Sequence, residues 1–312
     1  MATYITVDIG GTQLRAARYT NDSITPDEVI RTPTQSEDGT PLDRLIHLIG
    51  QAWPADEPVQ AIGVAVPGPT DPYQGIVIEA PNIPGWNDLH LREILEQRFR
   101  VPVALGNDAN MAALGEWRYG AGSGSHDLLY LTVSTGIGSG VIVRDRLLLG
   151  ARGLAGELGH LTVMPDGPIC GCGQHGHLEA LASGTALLRW VKEQLASGVT
   201  STLSGEEHIS GLQITQAAQQ GDLLAIKALE RCGTYVGIAL ASFLHIFNPS
   251  LVVIGGGVSR SGDFLMEPLR FALKSHVMNQ AYLEDLQIYP ALFGDEVGLV
   301  GTLALIRDLY PA

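Results

Sequence analysis

The stretch Tyr4-Ile5-Thr6-Val7-Asp8-Ile9-Gly10-Gly11-Thr12, followed by an alternating run from Leu14 to Tyr19, decides how the rest of the chain is read. Tyr4 to Val7 is strand-like, and two strand-like runs around a glycine pair predict a hairpin. The unit recurs. Leu128 to Val133 is strand-like, Ser134-Thr135-Gly136-Ile137-Gly138-Ser139-Gly140 is a glycine turn, and Val141 to Val143 resumes a strand. Two such units, each placed to open a domain, predict a duplicated α/β architecture.

Working outward, Ala61 to Val66 reads as a buried strand ended by Pro67-Gly68-Pro69. Leu89 to Phe99 reads as an amphipathic helix, and Val101 to Leu105 as a short strand delivering Asn107-Asp108-Ala109-Asn110. Ala109 to Tyr119 carries Met111, Leu114 and Trp117 at helical spacing. Leu223 to Phe247 is helical in more than one piece and stops at Asn248-Pro249. Leu251 to Ile254 is an apolar run suited to a strand buried on both faces. Gly255-Gly256-Gly257 ends it, Ser259 is placed to cap a following helix, and a helical run from Glu296 to Leu309 closes the chain.

The chemistry gathers at turns. Glycines at a hairpin tip let backbone amides approach phosphate oxygens with no Cβ in the way. In the first turn Gly10 and Gly11 do this, Thr12 adds a hydroxyl, and Asp8 can face a Mg²⁺ ion. Thr135 and Gly136 repeat the logic. Neither turn is a Walker A loop, and Gly136-Ile137-Gly138-Ser139-Gly140 misplaces the third glycine of a dinucleotide fingerprint. Asp108 stands just past a strand and just before a helix, where α/β proteins build clefts. It can accept a proton from an attacking hydroxyl, or it can cap the helix; spacing leaves both open. His160, Cys170, Cys172 and His177 offer four zinc ligands within eighteen residues. His175 is an alternative to His177. Gly255, Gly256 and Gly257 let a flat group lie against the backbone.

Composition narrows the classes. Apolar residues make up 45% of 312 and charged residues 17%, a globular balance. Lys+Arg minus Asp+Glu is 19 − 33, or −14, which disfavours sequence-independent binding to DNA or anionic membrane. No basic and apolar leader precedes the first strand, and Gly237 to Phe247 is too short to cross a bilayer and contains His245. A cytoplasmic protein is expected. Cys170 and Cys172 stand one residue apart and Cys232 is remote, so the thiols predict a metal site and a core thiol, not a disulfide framework.

Together these motifs resemble the ROK kinases (repressor, open reading frame, kinase), especially the bacterial glucokinases among them. The resemblance rests on Asp8-Ile9-Gly10-Gly11-Thr12, Val66-Pro67-Gly68-Pro69, Ala80-Pro81-Asn82, Asn107-Asp108-Ala109-Asn110, Ser134-Thr135-Gly136-Ile137-Gly138, Gly156-Glu157-Leu158-Gly159-His160, Cys170-Gly171-Cys172-Gly173 and Gly255-Gly256-Gly257. It implies an actin-like, ribonuclease H-like fold with two α/β lobes around a central cleft. Residues 1–117 would form the small lobe, with a C-terminal helix over 298–312 packing back on it. Residues 118–297 would form the large lobe with the zinc loop and the nucleotide site.

The resemblance also implies roles. Asp108 would be the general base. Gly68, Asn82, Asn107, Glu157, His160 and Glu179 would hold the sugar. Asp8, Gly10, Gly11, Thr12, Thr135 and Gly136 would clasp the ATP phosphates, and Gly255, Gly256 and Gly257 would meet the adenosine. His160, Cys170, Cys172 and His177 would hold structural zinc, His177 standing where the family usually has a third Cys. The expected reaction is ATP-dependent phosphorylation of a hexose, with Mg²⁺ accompanying ATP. Glucose heads the substrates, ahead of N-acetylglucosamine, N-acetylmannosamine, mannose, fructose and allose; polyphosphate is an alternative donor. A homodimer or homotetramer is expected. A sugar-responsive transcription regulator is the alternative from another class, but such relatives carry a helix-turn-helix before the first hairpin, and Asp8 stands seven residues after Met1.

Overall fold

The computed structural model describes residues 2–37 and 39–311. In chain order the first elements are β1 (Thr3–Ile9), β2 (Gln13–Thr20), β3 (Glu28–Pro33), α1 (Pro41–Ala52), β4 (Val59–Val66), β5 (Thr70–Asp71), β6 (Ile76–Glu79), β7 (Asn87–Leu89), α2 (Leu91–Phe99), β8 (Val103–Asn107) and α3 (Asp108–Tyr119). Then come β9 (Leu128–Val133), β10 (Ile137–Val143), β11 (Arg146–Leu147), α4 (Leu178–Ala182), α5 (Gly184–Ala196), α6 (Gly211–Gln219), α7 (Leu223–Phe247), β12 (Leu251–Gly255), α8 (Asp263–His276), β13 (Gln287–Pro290) and α9 (Val297–Leu309).

The first sheet has the order β3-β2-β1-β4-β8 and the second β11-β10-β9-β12-β13. Ranked by chain order within each sheet, both read 3-2-1-4-5, which bears out the expected duplication. β1 runs antiparallel to β2 and parallel to β4, and β4 runs parallel to β8. In the second sheet β12 runs parallel to β9 and to β13. By chain contacts there are two compact units. One comprises the residues up to His126, Gly140–Gly156 and those from Leu292 onward; the other comprises Asp127–Ser139 and Glu157–Ala291.

In the first unit every residue of β1 is buried, as a strand covered on both faces requires. Ile5, Val7 and Ile9 join Leu45 and Leu48 of α1 and Leu91 and Leu95 of α2 in one core cluster. Tyr4 joins Leu299, Leu303 and Ile306 of α9 on the other face. Each buried Leu or Ile contributes roughly 1.5–3 kcal/mol relative to exposure. Strand alternation then sends Asp8, four residues from Tyr4, to the α9 face. The chain enters α3 straight from β8, with Asn107 ending the strand and Asp108 opening the helix.

Two expectations need correction in the second unit. Leu223 to Phe247 is one 25-residue helix, not several pieces. The interior glycines that weaken its pattern serve packing: a Cβ on Gly233 or Gly237 would collide with the carbonyl oxygen of Leu265 or Leu269 in α8. Ser259 does not cap α8, whose N-cap is Gly262. Its hydroxyl donates instead to the carbonyl of Gly256, 2.7 Å away, inside the glycine turn. Among the described residues no helix is long and apolar enough to cross a membrane.

Candidate active site and metal centre

The first hairpin closes when Gly10 N–H donates to the Gln13 carbonyl at 2.9 Å. A Cβ on Gly11 would come within 2.8 Å of Asn82 Cβ, so the loop carrying Asn82 packs against the turn. Thr12 is exposed at the tip. Asp8 is buried, and Arg15, directly opposite in the β1–β2 register, donates to its carboxylate. Burial pushes the Asp8 pKa up; the Arg15 charge and hydrogen bond oppose the rise. Arg15 also donates to the Asp295 carbonyl. A Cβ on Gly298, in the first turn of α9, would sit 2.9 Å from the Asp8 carboxyl carbon. Arg15 was not legible as a site residue; the signal available was its place seven residues after Asp8 across a two-glycine turn.

The same unit shapes the Asn107-Asp108 corner. The Asn107 side-chain oxygen accepts from Ala109 N–H at 3.0 Å and Asn110 N–H at 3.2 Å, and its amide donates to the Gly68 carbonyl at 3.2 Å. Asn107 is therefore the N-cap of α3 and a tie to the Val66–Pro69 turn. Gly68 holds φ +83, and a Cβ there would come within 2.5 Å of the Glu79 carbonyl oxygen. Asp108 is exposed, and its Oδ1 accepts from Ala109 N–H at 2.8 Å. The capping role is held next door, so a chemical role for Asp108 does not compete with it.

In the second unit, Ser134 N–H donates to the Gly136 carbonyl at 2.9 Å and closes the second glycine turn. Gly184 N–H donates to the Ser134 carbonyl at 2.7 Å, and the Thr185 hydroxyl to the Thr135 carbonyl at 2.9 Å. The start of α5 thus holds this turn from one side. Gly256 has φ +90, and a Cβ there would collide with the Val133 carbonyl. The turn after β12 therefore lies directly on β9, with Gly257 exposed beside it.

A short 3-10 turn, Leu158–His160, follows Glu157. The Ser139 hydroxyl accepts from Leu158 N–H at 3.1 Å, and a Cβ on Gly159 would collide with the Ile137 carbonyl. Desolvation raises the Glu157 pKa, His160 opposes the rise, and Glu179 adds to it. The two carboxylates and the imidazole therefore share one electrostatic neighbourhood. Ser139 escaped sequence reading because its partner lies on another segment.

The thiol and imidazole set converges. Ligand atoms of His160, Cys170, Cys172 and His177 all lie within 4.8 Å of one another. Cys170 Sγ is 3.6 Å from His160 Nδ1, and Cys172 Sγ is 3.3 Å from His177 Nδ1. Tetrahedral zinc with bonds near 2.3 Å to sulfur and 2.0–2.1 Å to nitrogen separates such ligands by about 3.6 Å. The donor set and its spacing fit zinc. Gly173, at φ +88, lets the Cys170–Gly173 segment turn tightly. His175 lies outside the group; its Nδ1 is 3.0 Å from the Gly167 carbonyl. Cys232 is the expected core thiol, buried and donating to the Ala182 carbonyl at 2.9 Å.

Comparisons with known proteins agree on one relationship. The family model described as ROK family matches residues 4–309. A glucokinase of Thermotoga maritima is 35% identical over 310 residues, covering 97% of this chain and 97% of that protein. The crystal structure of a ROK family glucokinase from Streptomyces griseus, in complex with glucose and AMPPNP, superposes with a TM-score of 0.82 at 33% identity, covering 98% of this chain and 99% of that one. A ROK family transcriptional regulator, a homologue of the E. coli MLC protein, superposes with a TM-score of 0.88 at 26% identity, covering 99% of this chain and 78% of that one.

Proposed function

The chain belongs to the ROK family, and from that premise we propose that it is a glucokinase, transferring the γ-phosphoryl group of ATP to the C6 hydroxyl of glucose. Its fold is the actin-like ATPase fold of the ROK sugar kinases. The observation that carries the reading is the match to a glucokinase along 97% of both chains. Regulator relatives are matched over less of their own length, 78% for the superposed regulator against 97% for the glucokinase, and a net charge of −14 disfavours contact with the DNA phosphate backbone.

Phosphoryl transfer asks the protein for positioning and charge stabilisation more than for covalent chemistry. Gly68, Asn82, Asn107, Glu157, His160 and Glu179 orient the sugar. Asp108 takes the proton of the attacking hydroxyl as its oxygen bonds to the γ-phosphorus. The bond from that phosphorus to the β–γ bridging oxygen breaks, and ADP leaves with the electron pair. Amides of Gly11, Thr12, Thr135 and Gly136 stabilise the phosphate oxygens, with the Gly10 amide closing the first hairpin on Gln13, and Gly255, Gly256 and Gly257 receive the adenosine. Mg²⁺ bound with ATP supplies charge neutralisation there, and Asp8 is the carboxylate that would face it. His160, Cys170, Cys172 and His177 would hold structural zinc, with Nδ1 of His160 toward the metal and Nε2 left for the sugar.

The reading extends to a cytoplasmic homodimer or homotetramer, where ATP is supplied and thiols stay reduced; light scattering checks the assembly. An ADP-coupled assay tests the chemistry, with glucose, mannose, fructose, allose and the two N-acetylhexosamines as acceptors and ATP or polyphosphate as donors. Glucose with ATP should give the highest kcat/KM. Turnover of another sugar but not glucose would remove the substrate assignment, and turnover of none would remove the kinase.

A further inference from the structure

The Glu179 carboxylate reaches two segments at once. Its Oε2 accepts from the N–H of Ile137 at 3.0 Å, and its Oε1 lies 3.4 Å from Cys170 Sγ, which donates to it. Glu179 follows the metal-ligating His177 by two residues and stands in the first turn of α4. Ile137 is the residue after Gly136 and opens β10. A Cβ on Gly136 would come within 2.5 Å of Glu179 Oε2, so glycine is what admits the carboxylate. Ile137 is buried, and its N–H, without this partner, would be left in a place that water reaches poorly.

From this geometry we infer that Glu179 is a positioning residue for the second glycine turn, so that nucleotide affinity depends on a residue of the metal-bearing segment. The inference rests on the proposed role of Thr135 and Gly136 toward the ATP phosphates. α5 fixes the carbonyls of Ser134 and Thr135, and Glu179 fixes the N–H on the far side of Gly136. The turn is thereby held at both ends, and its remaining amides keep their direction toward a phosphate. Preorganised amides bind an anion without an ordering cost at the moment of binding.

The test measures binding of a non-hydrolysable ATP analogue with Mg²⁺ by titration calorimetry, with no sugar present. Metal content and circular dichroism are followed for each variant. Glu179→Asp keeps the charge but is one methylene too short to reach Ile137 N–H; it should weaken nucleotide binding about tenfold. Glu179→Gln loses the charge but keeps an oxygen at the same reach; it should stay within about twofold of the unaltered protein. A role confined to charge at the sugar or metal predicts the reverse order. Nucleotide affinity unchanged in Glu179→Asp, or lost in Glu179→Gln and kept in Glu179→Asp, overturns the inference. Gly136→Ala separates the two levels. If it weakens nucleotide binding while Glu179→Asp does not, the inference alone fails. If neither Gly136→Ala nor Thr135→Ala affects nucleotide binding, the phosphate role of the turn fails with it.

Discussion

Arg15 donates to the Asp8 carboxylate from the position directly opposite it in the β1–β2 ladder. The pairing is incomplete compensation. Asp8 is buried against the first turn of α9, and its desolvation outweighs the Arg15 charge, leaving its pKa above the ordinary 3.8. The unfolded chain releases this proton near 3.8, and the folded chain holds it to higher pH. Between those points the native state binds more protons, so stability falls as pH rises.

Asp8→Asn removes that loss. The variant is expected to melt at or above the temperature of the unaltered protein at pH 7, and to lose the advantage as pH falls to about 3.8. Its kcat with ATP–Mg²⁺ should drop steeply, the usual trade between stability and a strained functional carboxylate. A lower melting temperature at pH 7 with normal turnover would show that the carboxylate serves the fold.

Asp108→Ala should lower kcat by about 10²–10⁴-fold, the usual worth of a positioned general base. The glucose KM should change far less. Asn107 already takes the Ala109 and Asn110 amides, so α3 keeps its cap and the melting temperature should shift little. Steady-state kinetics and calorimetry check both halves; near-normal turnover would remove Asp108 from the role.

Much of this was legible in the sequence because the signals were local. The hairpin around Gly10-Gly11 and its repeat at Thr135-Gly136 rest on residues a few positions apart, and their recurrence anticipated two sheets of like strand order. Helix starts were less legible. Asn107 and Asp108 are both good capping residues, and only coordinates show which oxygen meets the amides. The unbroken α7 was missed because Gly233 and Gly237 look like weak points until α8 is seen to need the space. Pairings between distant segments, such as Glu179 with Ile137 and Ser139 with Leu158, leave no trace in spacing. Four candidate ligands of two residue types within one segment pointed to a metal, but choosing His177 over His175 required the fold.

The metal site should be acid-sensitive. Desolvation, with the nearby His160, lowers the His177 pKa below 6.5, and burial pushes the Cys170 thiol up to about 11. The unfolded chain therefore binds the histidine proton first as pH falls through 6.5. Stability declines below that point even without metal. Metal must also displace the thiol protons, so its affinity weakens with acid. Metal content by atomic absorption should fall between pH 7 and 5, and a chelator should lower the melting temperature and abolish turnover together. His177→Ala, which leaves three of the four ligands, should lose metal at a higher pH than the unaltered protein. Equal metal loss in both would show that His177 does not set the limit.

Glu116 makes the last prediction. This fully buried carboxylate accepts from Leu292 N–H at 2.7 Å, Phe293 N–H at 2.9 Å and Ala121 N–H at 2.9 Å. It ties the end of α3 to the segment that leads into α9, and no role in the chemistry is proposed for it. Glu116→Ala strips the partner from three backbone amides at once, each costing about 1–3 kcal/mol where water cannot replace it. The loss should be at least about 3 kcal/mol, read as a lower urea midpoint with the slope preserved. Glu116→Gln should also destabilise, because one carboxylate oxygen becomes an NH₂ group facing an N–H donor on one side of the tie. With Asp108 untouched, kcat at temperatures where the variants stay folded should remain near normal. A loss below about 1 kcal/mol in Glu116→Ala would mean that water enters and satisfies these amides, and that the tie is not what stabilises this corner of the first unit.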